Sequence, residues 1–135
     1  MKTFLIALVI AVAAWAVYSY VMAPGNGTVH VLLTEQNASG ESGSAVLQET
    51  DGSVRVTLTV NGQPAGVAQP AHIHHGTCAE LGGVLHPLEF PSDGGSVTTL
   101  ATTFAELLAE GPLAVNVHKS PQEAQVYVAC GDIAF

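Results

Sequence analysis

Asp51-Gly52 stands between two apolar runs, Ala45–Gln48 and Val54–Val60. An Asp-Gly pair in that position is a strong signal for a two-residue β-hairpin turn. In the second run Val54, Val56, Leu58 and Val60 alternate with Arg55, Thr57 and Thr59. Successive side chains of a strand point to opposite faces, so this arm has one buried and one wet face.

Other short runs bounded by turn residues read the same way. They predict strands over Val29–Leu33, Ala71–His75, Val97–Thr102, Leu113–His118 and Val126–Cys130. Asn61-Gly62-Gln63-Pro64 breaks the pattern, and the stretch from Gly76 to Pro91 reads mostly as loop. Thr103-Phe104-Ala105-Glu106 fits a helix capping box, with Leu107 and Leu108 behind it, and predicts one short helix. Residues 28–135 therefore read as an all-β domain, a sandwich or barrel. Asn26-Gly27-Thr28 and Asn37-Ala38-Ser39 match the glycosylation acceptor pattern, which is common by chance; both read as ordinary turn residues.

The first 23 residues read apart from the rest. Phe4 to Met22 is apolar except for Tyr18, Ser19 and Tyr20. At ~1.5 Å per residue, a helix of this length nearly spans a ~30 Å hydrocarbon core. A cleaved signal peptide is the competing reading, but Pro24 directly after Val21-Met22-Ala23 makes a poor cleavage site. Trp15, Tyr18 and Tyr20 gather toward the far end, as in an interfacial belt. The expected organisation is thus an anchor over 1–23, contacting the membrane through 4–22, a linker over 24–27, and the β domain over 28–135. Lys2 precedes the apolar run, and positive residues favour the cytoplasmic side. A single-pass protein with its C-terminal domain periplasmic is expected. Two cysteines, Cys78 and Cys130, in an exported domain read as a disulfide, the alternative being two metal ligands.

Three basic residues oppose eleven acidic ones, and only Arg55 and Lys119 are basic beyond the apolar stretch. Such a surface does not attract nucleic acid. No nucleophile motif and no phosphate-binding glycine loop is present.

Six histidines carry the chemistry. His72, His74 and His75 lie in one short run, His86 follows a glycine-containing stretch, and His118 ends Leu113–His118. In a strand His72 and His74 share a face, and His75 takes the other. Imidazole donors suit copper or zinc. His30 reads as a surface residue, and Glu80 and Glu89 as solvated.

In matching order, His72-Ile73-His74, Cys78, His86-Pro87, Val115-Asn116-Val117-His118 and Val128-Ala129-Cys130-Gly131 resemble the copper,zinc superoxide dismutase pattern. The resemblance covers most of residues 28–134 and implies a superoxide dismutase-like Greek-key β-barrel. The chain is also similar to small bacterial relatives of that fold and, more loosely, to chordin-type domains. Carried over residue by residue, the resemblance makes His72, His74 and His118 copper ligands and His86 the histidine that bridges to zinc. It also pairs Cys78 with Cys130.

The departures are as informative. Between His86 and His118 there is no histidine and Asp93 is the only aspartate, so a zinc site of the family's kind is not expected. Where the family has a guiding arginine, three residues before the second cysteine, this chain has Tyr127. The loop from Lys119 to Gln125 is short, and Lys119 substitutes only crudely. Efficient dismutation is therefore disfavoured. The leading expectation is a membrane-anchored, superoxide dismutase-like accessory subunit of a larger membrane complex, respiratory or photosynthetic, with copper optional and other membrane-protein subunits as partners. The alternatives are a copper-binding or copper-delivery protein and a copper-only superoxide dismutase.

Overall fold

A computed structural model describes residues 27–135. The expected anchor over 4–22, and the linker except Gly27, lie outside these residues. Among the described residues no helix is long and apolar enough to cross a membrane.

The described residues form β1 (Thr28–Glu35), β2 (Ser42–Thr50), β3 (Ser53–Asn61), β4 (Ala71–Thr77), β5 (Glu80–Leu88), β6 (Gly95–Leu100), the helix α1 (Phe104–Ala109), β7 (Leu113–His118) and β8 (Tyr127–Ile133). The strands make one antiparallel sheet in the order β5-β4-β7-β8-β1-β2-β3-β6. The sheet curls so that its two end strands approach. The Glu89 N–H, just past β5, donates to Thr98 Oγ1 of β6 at 2.8 Å. Among the described residues, the expected all-β class with one short helix is thus what forms.

The hairpin forms as its sequence dictates. Thr50 pairs with Ser53 across Asp51 and Gly52, both at positive φ (50° and 76°), the conformation that matches a two-residue turn to strand twist. Val54, Val56, Leu58 and Val60 are buried, and they join Val31, Leu33, Ala45, Leu47, Ile73, Val115 and Val117 in one core. Leu107 of α1 closes it. The capping box forms as expected: Thr103 Oγ1 accepts from the Glu106 N–H, and Glu106 accepts from the Thr103 N–H. These bonds, the Thr103 backbone first, hold the Glu106 carboxyl below its ordinary range.

One expectation fails in the fold. Residues 80–88, read as loop, are β5. The misreading has a cause: Gly82-Gly83 and Pro87 are poor strand formers in a buried sheet. β5 pairs on one side only, at the end of the strand order, where Pro87 removes no ladder bond on the free side. The β4–β5 register also shifts around His74, leaving bulges at Ile73/His74 and His74/Gly76. Gly76 sits at φ +90°, and a Cβ there would lie 2.3 Å from Glu80 O, so this bulge accepts only glycine.

The Cys78–Cys130 disulfide is present, joining residues 52 apart with Cα atoms at 5.8 Å. Closing a loop of that length stabilises by about 4 kcal/mol on the chain-entropy account.

Candidate metal site

β4 carries two faces with different chemistry. Ala71 and Ile73 point into the core, and His72 and His74 to the other side. β7 is buried along its whole length: Val115 and Val117 enter the core, while Asn116 and His118 alternate onto the histidine side. His72 pairs with Asn116 across the β4–β7 ladder, which brings the two strands' polar residues together.

His72, His74 and His118 meet there. One ligand nitrogen from each lies within 4.8 Å of the other two. His72 Nδ1 and His118 Nε2 are 3.0 Å apart. Two nitrogens bound to one ion at about 2.0–2.1 Å in a tetrahedral arrangement stand roughly 3.3 Å apart. Drawing the three nitrogens, all within 4.8 Å of one another, to about that spacing would let one ion hold them all.

Backbone carbonyls set which nitrogen is free. His118 donates Nδ1–H to Ala124 O, and His74 donates Nδ1–H to Gly82 O at 3.0 Å. Each therefore turns an Nε2 lone pair toward the site, the arrangement that outer partners impose on metal-bound histidines. His118 Nε2 accepts from His72 Nδ1–H. His74 Nε2 is buried and has no partner. A buried acceptor without a donor costs about 1–3 kcal/mol, which a cation would offset.

Burial, reinforced by His118 and His74, pushes the His72 pKa down to about 4. Burial also lowers His118, against the opposing Ala124 hydrogen bond, with His74 adding to the lowering. Two neutral imidazoles at neutral pH keep their lone pairs for a cation.

His86, expected to join the others, does not. It pairs with Ile73, so it shares the core-directed face of the ladder rather than the His72–His74 face. It lines a cavity of about 340 Å³ with Leu85, Thr102, Glu106 and Leu107 instead. His75 takes the face opposite His74, as its register requires, and His30 is exposed. Glu80 and Glu89 are exposed and outside the triad.

The other positions near the triad also have definite roles. Tyr127 stands edge-on to His118 with ring centroids 5.2 Å apart, packing against the imidazole. Lys119 Nζ pairs with Glu123 at 2.9 Å on the surface, a contact worth at most about 1 kcal/mol. The sequence places Asn116 in a strand and in the Val115-Asn116-Val117-His118 motif but gives its side chain no role. The residue is wholly buried, with Nδ2 3.4 Å from His118 Nε2 and Oδ1 without a partner. A polar residue inside an otherwise apolar strand was the one signal for it. The Gly82 and Ala124 carbonyls have no signal at all, because any residue offers one.

A family model described as CHRD domain matches residues 21–125, about three quarters of the chain. The chain belongs to the CHRD domain family. That match overturns the reading of the chain as a copper,zinc superoxide dismutase relative. With it fall the functions drawn from that reading: the dismutase-like accessory subunit, the copper-delivery protein and the copper-only dismutase. The resemblance had a physical source, because residues of its pattern serve the fold of this CHRD domain. At Gly131 a Cβ would lie 2.2 Å from Leu32 O, so the glycine of Ala129-Cys130-Gly131 permits close strand packing. The histidine meant to bridge two metals faces away from the other three. No curated protein and no solved structure matches the chain.

Proposed function

We propose that this CHRD domain is an extracytoplasmic module, tethered through residues 4–22, that binds one transition-metal ion at His72, His74 and His118. The observation that carries the reading is the convergence of the three imidazoles, with two of them turned by backbone carbonyls so that their lone pairs point inward. The donor set suits zinc, copper and their neighbours alike. The Cys78–Cys130 disulfide and the apolar N-terminal stretch support the location. We read the sheet order as Greek-key: the β3–β4 link passes over β6 and β5, and the β6–β7 link over β5 and β4.

In such a site this chain's own residues do three things. His74 and His118 present preset Nε2 donors, and His72 moves its proton from Nδ1 to Nε2 to free the third lone pair. Tyr127 and the 119–126 segment, whose Ala124 carbonyl holds His118, cover that ring. A bound ion would tie β4 to β7 through these side chains, and would supply Lewis acidity only where a coordination position stays open.

The test is metal content of the full chain, purified in mild detergent and incubated with zinc or copper salts. One ion per chain, lost in His74→Ala, is expected. A chain that stays metal-free, or a His74→Ala variant that binds as well as the parent, ends the proposal.

A further inference from the structure

Asn116 sits where a strand former is expected. It is wholly buried in the middle of β7, between core residues Val115 and Val117, and opposite His72. Asparagine is disfavoured in central strands, and a buried carboxamide needs partners for both of its ends. Here neither end is well served. Nδ2 points toward His118 Nε2 at 3.4 Å, but that single lone pair already accepts from His72 Nδ1–H at 3.0 Å. Oδ1 has no donor. Two donors thus compete for one lone pair, while an acceptor beside them goes without.

A cation in the triad reverses this. It takes the His118 Nε2 lone pair and leaves Nδ2–H facing a positive charge. The two ends of a carboxamide are nearly the same size, so a half-turn of the amide exchanges them without repacking. The end of Asn116 nearest His118 already stands 3.4 Å from its Nε2, close to the roughly 3.3 Å between two donors on one tetrahedral ion. The other histidines do not compete for the position, since His86 and His75 face elsewhere.

We propose that Asn116 is the fourth ligand, through its carboxamide oxygen, so that the site holds three imidazole nitrogens and one amide oxygen. This rests on the triad being a metal site. An oxygen donor is hard, so the set suits a divalent zinc- or cobalt-like ion better than a soft monovalent one.

The experiment is titration of the full chain with Co²⁺, read by visible absorption, with affinity for Zn²⁺ measured by competition. The parent is compared with Asn116→Leu, Asn116→Asp and His74→Ala. Asn116→Leu should bind at least about tenfold more weakly and give a shifted cobalt spectrum, because water replaces the amide oxygen. Asn116→Asp, which keeps the shape and adds a negative charge, should bind more tightly and guards against a Leu variant that fails to fold. His74→Ala should abolish binding. Parent-like affinity and spectra in both Asn116 variants, with binding still lost in His74→Ala, overturn the fourth ligand and leave the triad standing. No binding by the parent overturns both.

Discussion

β2 and β3 bury Ala45, Leu47, Val54, Val56, Leu58 and Val60. β4 and β7, in the same sheet, bury His74, Asn116 and His118 on one side while Ile73, Val115 and Val117 fill the core on the other. The first region is a two-faced sheet with apolar residues in and polar residues out, except for buried Glu49, whose Oε2 accepts from the Phe104 N–H. The second is covered on both faces, and its outer face is polar. Buried apolar side chains need only area and fit, whereas buried polar ones need partners. The hairpin region meets its requirement fully. The histidine region leaves His74 Nε2 and Asn116 Oδ1 without partners. Native proteins tolerate such orphans where something else meets the need.

The contrast can be broken most forcefully through the disulfide, which anchors the β8 side of the polar region to the end of β4. The Cys78→Ala/Cys130→Ala double variant should lose about 4 kcal/mol in urea unfolding. A loss under 1 kcal/mol would mean that the surrounding strands alone hold the site together. In the apolar region, Leu47→Ala removes a fully buried side chain and should cost about 3 kcal/mol with or without metal. The polar region should respond oppositely, gaining stability from an ion. A hundredfold excess of Zn²⁺ over its dissociation constant should raise stability by about 2.7 kcal/mol, and His118→Ala should erase the gain. An equal gain in His118→Ala would place the ion elsewhere.

The smallest expected effect sharpens the comparison at a third place. Glu41 is 3% exposed, with Oε1 accepting from Gln69 Nε2 at 3.0 Å and Oε2 unpartnered. Burial raises its pKa above the ordinary carboxylate value, and the Gln69 bond opposes this only in part. A folded pKa above the unfolded one means that the contribution of Glu41 is fully present below the unfolded value and declines as pH rises through the folded one. Glu41→Gln should therefore be more stable than the parent at pH 7, by about 1 kcal/mol, and equal to it at low pH. Parallel stability–pH curves for the two proteins would show that Glu41 does not ionise against its surroundings.

Much of the fold was legible. Period-2 alternation in residues 54–60, the Asp51-Gly52 turn and the Thr103–Glu106 box all encode local structure through local chemistry, and each formed as read. β5 was not legible, because its glycines and proline are acceptable only at a free edge with bulges beside it. The site was legible in part. His72 and His74 share a face by strand geometry alone, and the structure places both beside His118. His86 carried the same residue type and the same expectation, but its register against Ile73 turned it away.

The sequence by itself determined the alternation, the turns and the helix cap, because each depends on residues within a few positions of one another. It also supplied three histidines whose faces follow from strand periodicity. Only the tertiary structure decided which side chains converge. Whether His86 or Asn116 completes the polar face depends on strand register and on which face of a ladder each residue takes. A shift of one residue exchanges the two faces. The carbonyls of Gly82 and Ala124 that orient the His74 and His118 rings are brought there by chain packing alone.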